Sequence, residues 1–144
     1  MKGTKRFIGV DTSGLLMRVA VLNAGVQDFD GLLDLGHLIQ PVAPRVTAGW
    51  VDGGFAAGVL TAKERFGWDL SVVTKAPGQR GFVVQPRRWV VERTFAWLTD
   101  CRRLTKDYEV YAETSDAFIY LAMIHLMLRR LAPHPTKRSW TAAA

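Results

Sequence analysis

Short runs of β-branched residues alternate along this chain with stretches of helical period, and that alternation confines it to a layered α/β fold. Residues 6–24, RFIGVDTSGLLMRVAVLNA, carry apolar strand formers on both sides of Asp11, Thr12, Ser13 and Gly14. Those four supply turn chemistry, so the segment reads as two strands of a hairpin. In 26–39, Val26, Phe29, Leu32, Leu33 and Leu35 fall broadly on one helical face, with Gly31 and Gly36 weakening the helix. QPVAPR is a loop, and VTAGWV, 46–51, is a buried strand that stops at Asp52. Residues 56–66 form a helix closed by Gly67, and WDLSVVTK, 68–75, is another strand. The loop APGQRGFVVQP, 76–86, ends in a proline suited to the first turn of the helix after it.

That helix is expected over 87–106. Val90, Thr94, Trp97, Cys101 and Leu104 make its apolar stripe, widened by Val91, Phe95 and Leu98. A last helix, 115–131, is apolar on most sides and ends in Arg129 and Arg130, which complement a helix C-terminus. The order is β–β–α–β–α–β–α–α, with an antiparallel hairpin first and parallel strands after it. Residues 133–144 read as a flexible tail.

At 144 residues the chain holds one ordinary domain, and 49% hydrophobic content is enough to build a core. The net charge of +6 points to polyanionic partners, the alternatives being an anionic membrane surface or an acidic protein. A single cysteine, Cys101, excludes an internal disulfide and fits a reducing, cytoplasmic setting; core packing is its expected role. No secretory signal is visible at the N-terminus. The most membrane-like stretch, AFIYLAMIHLML at 117–128, falls short of the ~20 apolar residues a span needs and reads as a buried helix.

Two lone acids stand out in this basic chain. Asp52, in WVDGGFAAG, would sit at the carboxyl end of a strand, the edge where open α/β sheets bind ligands. Gly53 and Gly54 would let a metal and a phosphate approach it; the alternative is a plain Asp-Gly turn. Glu92, in RRWVVERTFAWL, follows Arg88 by one helical turn. Such a pair is an ordinary surface contact worth roughly 0.2–0.5 kcal/mol. The other reading joins Glu92 to Arg87, Arg88, Arg93, Arg102, Arg103 and Lys106, six cations beside two tryptophans. Cations hold phosphates while carboxylates hold Mg²⁺ against them, though such sites usually need more than two acids. Asp11 reads as a turn residue, and Asp28 and Asp30 as helix-start and surface residues. His37, His125 and His134 lack metal-ligand spacing, and His125 reads as a packed residue of the last helix.

The stretches KRFIGVDTSGLLMRVAVLNAGVQDFDG, WVDGGFAAG, RRWVVERTFAWLTDCRRLTKDYE and SDAFIYLAMIHLMLRRLA together resemble the DDE transposases of bacterial insertion sequences, in the IS-four/IS-five superfamily. The resemblance runs from Lys5 to Ala132, and its most specific part is RRWVVERTFAWL. It implies an RNase H-like mixed sheet flanked by helices, and Mg²⁺-dependent DNA strand cleavage and transfer. Asp52 matches the second catalytic aspartate, Glu92 the catalytic glutamate, and Arg88 the signature arginine before it. The family's first aspartate lies on a strand upstream of the hairpin. Residues 1–132 therefore resemble the C-terminal portion of the catalytic domain, truncated before that first strand. Expected partners are transposon-end DNA, the upstream transposase segment or a second copy, with no membrane. Either the chain is a catalytic segment, such as a second reading frame joined by frameshifting, or it is a decayed fragment that binds DNA or transposase without chemistry.

Overall fold

The structure, a computed structural model, describes residues 3–74 and 87–132. The expected tail at 133–144 and the loop at 76–86 lie outside the described residues. Strands β1 (Thr4–Val10) and β2 (Leu16–Asn23) pair antiparallel, with Phe7 opposite Ala20 and Ile8 opposite Val19. Asp11 closes their turn: its Oδ1 accepts from the backbone N–H of Ser13 and of Leu15, each at 2.8 Å. Gly14 follows at φ 78°, a left-handed conformation that costs other residues roughly 1–2 kcal/mol. The turn role expected of Asp11 is the one observed.

Helix α1 spans Asp28–Ile39. Its two glycines lower helix propensity but are required by packing. A Cβ on Gly31 would collide with the Phe7 ring, and one on Gly36 with the Phe66 ring. Strand β3 (Ala48–Asp52) then leads through a 3-10 turn, Gly53–Gly58, into helix α2 (Val59–Phe66). Gly67, at φ 71°, ends α2 and returns the chain to β4 (Asp69–Val73), parallel to β3. This is a strand–helix–strand crossover, with Asp52 beside Val73 at its carboxyl edge.

Among the described residues the mixed sheet is divided into two strand pairs, β1–β2 and β3–β4, which share no strand hydrogen bonds. The helix expected over 87–106 is shorter. Helix α3 runs Arg88–Thr99 and is followed, after extended Cys101, by a 3-10 turn at Arg102–Leu104. Here the Thr99 hydroxyl donates to the Ala96 carbonyl, the Asp100 N–H to that same carbonyl and the Cys101 N–H to Leu98, so the last turn tightens and stops. The final helix, α4, spans Ala112–Leu131 and starts three residues before the expected Ser115.

Strand β2 distributes the core by its period of two. Ala20 joins Phe7, Leu32, Leu35, Ile39, Phe66 and Trp68 on the side of α1 and α2. Val19 and Val21 join Leu98, Leu104, Ile119 and Met123 on the side of α3 and α4. The hairpin is thus a middle layer between two helical layers, and each large apolar side chain buried there contributes about 1.5–3 kcal/mol. Cys101 packs against the second cluster, as expected. His125 does not: it is exposed, because the buried face of α4 is carried by Ser115, Ile119 and Met123. No described helix is long and apolar enough to cross a membrane.

Candidate functional site

Asp52 is the last residue of β3 and is exposed. Its Oδ1 accepts the Gly54 N–H at 3.0 Å, capping the 3-10 turn that follows. The paired glycines after it serve different ends. A Cβ on Gly53 would meet open space. One on Gly54 would collide with the Asp28 carboxylate and come within 3.2 Å of Asp52 Oδ1. Both carboxylates therefore border the same glycine. Asp28 opens α1, as its helix-start reading requires, and its carboxylate is ion-paired with the Lys5 ammonium of β1. Nothing local in the sequence placed Asp28 beside Asp52; the two meet only because α1 packs on the turn after β3.

Helix α3 docks against β3 at one end and the hairpin at the other. At the first contact the Arg87 guanidinium lies 3.8 Å from the centroid of Trp50, two residues before Asp52 on the same strand face. Arg87 is the one non-glycine residue at positive φ among the described residues, at 72°. The cation–π contact, worth about 0.5–2 kcal/mol, offsets strain of similar size. At the second contact the Thr94 hydroxyl, fully buried, donates to the Gly14 carbonyl at 2.7 Å. Beside it, Arg93 Nη2 donates to the Ser13 carbonyl at 2.8 Å, with its guanidinium 4.2 Å from the Trp89 ring and 4.7 Å from the Trp97 ring. Glu92 lies between the two contacts and is exposed.

The six cations read from the sequence thus divide by environment. Arg93 is engaged in joining α3 to the hairpin. Arg87 stacks on Trp50 next to Asp52. Arg103 pairs with Glu109 at 2.8 Å and lies over Phe118. Arg102 and Lys106 are exposed, past the end of α3 rather than on it. Arg88 opens α3, and its side chain, with the expected contact to Glu92, lies outside the described residues.

Asp52 and Glu92 are therefore on contacting elements, but among the described residues no three His, Cys, Asp or Glu side chains gather closely enough to hold a metal ion. The described donors alone do not make a complete metal site.

Against known proteins, the family model described as "Transposase DDE domain" matches residues 1–127. A curated protein described as a putative transposase for insertion sequence element IS402, from Burkholderia cepacia, is 31% identical over 128 residues, covering 83% of this chain and 60% of that protein. The chain spans about 60% of the length of that relative. No solved structure matches it.

Proposed function

This chain belongs to the transposase DDE-domain family, and from that premise we propose that it is the C-terminal portion of a catalytic domain that cuts and joins transposon-end DNA. In this reading Asp52 and Glu92 are two of the metal-holding acids, and the domain is RNase H-like. The observation that carries it is the placement of Asp52 at the carboxyl edge of a parallel strand, with α3 docked on that same strand through Arg87 and Trp50.

In this reading a further metal ligand lies on a part of the family's catalytic domain outside this chain, and the greater length of the relative is in keeping with that. The separation of β1–β2 from β3–β4 supports a further strand between them. Mg²⁺, when held there, would activate the attacking hydroxyl and stabilise the leaving oxygen. The chain's own residues do the rest. Arg87, beside Asp52, and the exposed Arg102 and Lys106 attract the phosphate backbone, with Arg88 and Arg103 adding charge; Arg93 holds α3 in place. DNA binding of this kind is electrostatic and independent of base sequence.

The test is strand cleavage of transposon-end DNA in Mg²⁺. The 144-residue chain is expected to be inactive. Fusion in frame to the upstream segment of its element should restore cleavage, and Asp52→Ala or Glu92→Ala should abolish it. Cleavage that survives both substitutions rejects the site. A fused protein that binds the DNA and never cuts it favours the second reading, a binding fragment without chemistry.

A further inference from the structure

Helix α1 carries two acids in its first turn, and they stand in different settings. Asp30 is exposed, whereas Asp28 is half-buried. The two oxygens of Asp28 face different neighbours. Oδ1 accepts from the Lys5 ammonium of β1, which lies 5.0 Å from the centroid of the Phe7 ring. Oδ2 lies so close to Gly54 that a Cβ there would overlap it. The N–H of that same glycine donates to Asp52 Oδ1 at 3.0 Å. Two carboxylates thus flank one backbone unit, and like charges this close repel unless one is neutralised. Lys5 neutralises Asp28. The turn after β3 also has an apolar seat. Phe55 meets the Phe7 ring edge-on at 6.0 Å, and a Cβ on Gly58 would lie 2.8 Å from Leu32. Apolar contacts of that kind hold the turn against α1 but are non-directional. They do not fix the orientation of the peptide that Asp52 caps.

We propose that Lys5 and Asp28 are positioning residues for Asp52. The ion pair joins β1 to the start of α1, and its Asp28 end rests on Gly54. It therefore fixes the peptide whose N–H holds Asp52 Oδ1, and the hairpin sets where Asp52 points. Lys5 has a second duty, since without it the Asp28 charge drives Asp52 away. Gly54 is the clearance this arrangement needs, because any side chain there evicts Asp28. The consequence for cleavage rests on the reading of Asp52 as a catalytic acid. The contact through Gly54 does not.

Amide exchange of Gly54 in the 144-residue chain tests the contact without any catalysis. Asp28→Asn keeps the shape of the side chain and should speed Gly54 exchange about tenfold, with the amides of β1 and β2 unchanged. Asp30→Asn gives up a similar interaction with the helix N-terminus and should leave Gly54 as it is. Lys5→Met keeps an apolar stem over Phe7 and should speed Gly54 exchange more than Asp28→Asn does, because an unneutralised carboxylate then faces Asp52. Adding Asp28→Asn to Lys5→Met should slow it again. In the fused, active protein Asp28→Asn should lower kcat about tenfold at unchanged KM for DNA, and Asp30→Asn should not. Unaltered Gly54 exchange in Asp28→Asn overturns the proposal, and so does equal acceleration in Asp30→Asn. A double variant that exchanges no more slowly than Lys5→Met overturns the part given to Lys5. Parental kcat in Asp28→Asn, where Asp52→Ala abolishes cleavage, reduces the pair to a structural contact and overturns its positioning role. Cleavage that survives Asp52→Ala refutes the catalytic reading of Asp52 instead, and the Gly54 exchange still decides the contact.

Discussion

Replacing Thr94 with valine isolates the buried one of the two side-chain bonds that hold α3 to the hairpin turn. Thr94 is fully buried, with its hydroxyl 2.7 Å from the Gly14 carbonyl and 3.0 Å from that of Val90. Valine has nearly the same shape and helix propensity, so packing and backbone terms change little. What changes is that the buried Gly14 carbonyl faces a methyl group in place of a donor. An unsatisfied buried acceptor costs about 1–3 kcal/mol. For a domain of this length each kcal/mol lowers the melting temperature by about 3 °C, so a loss of about 3–9 °C is expected by calorimetry. Thr94→Ser keeps the donor and gives up one methyl, about 0.8 kcal/mol by transfer, and should lose less. Equal melting of Thr94→Val and the parent chain, within about 1 °C, would refute the role given to this hydroxyl. So would a serine variant less stable than the valine one.

Gly14→Ala should be more damaging than Thr94→Val. The residue sits at φ 78°, and its new Cβ would lie 2.9 Å from Thr94 Oγ1 and 3.1 Å from the Trp97 ring, so strain of about 1–2 kcal/mol adds to a clash that chemical denaturation will register. Arg102→Ala with Arg103→Ala should weaken binding of unrelated DNA duplexes alike, and each lost phosphate contact should flatten log K against log salt by about 0.9; an unchanged slope places the contact elsewhere. Asp116 has its pKa raised by burial, with the Glu113 charge adding to it and the Val21 N–H opposing. A folded-state pKa above the unfolded one gives stability that is present in acid and lost as pH rises through the folded value. Asp116→Asn should therefore melt above the parent at pH 7, with the difference closing below the ordinary value of 3.8; a constant difference from pH 3 to 7 contradicts this.

What was legible in the sequence was period. The order of strands and helices follows from alternation and from apolar residues at steps of three and four, which burial enforces directly. Geometry that depends on a distant partner was not legible. Gly31 and Gly36 looked like weaknesses in α1 and are clearances for Phe7 and Phe66. The stripe through Cys101 and Leu104 kept helical spacing across a break at Thr99, because a 3-10 turn returns Leu104 to the same core. His125 was read as packed because α4 has more apolar residues than its buried face can use. The surplus is exposed, at Leu121, Ile124, Leu128 and Leu131. Asp28 gave no signal of its place beside Asp52, since only the packing of α1 on the Gly53–Gly58 turn brings them together.

The same geometry explains why the signature helix has the composition it does. Two strand pairs that share no hydrogen bonds must be held in register by whatever touches both. Helix α3 does so with opposite chemistries at its two contacts. An exposed cation–π stack, Arg87 on Trp50, meets the β3–β4 pair. A buried hydroxyl and a guanidinium between two indoles meet the hairpin turn. The contacts are seven residues apart, about two helical turns or 10 Å, and Glu92 lies between them. The helix segment that carries it is held by both strand pairs at once, whereas Asp52 belongs to one of them. Loosening either contact should therefore move Glu92 relative to Asp52 without unfolding β3. In a fused, active protein, Thr94→Val should lower the cleavage rate at temperatures well below its melting point, with DNA affinity unchanged. A rate that falls only in proportion to the unfolded fraction would show that α3 holds the fold together but does not set the distance between the two acids.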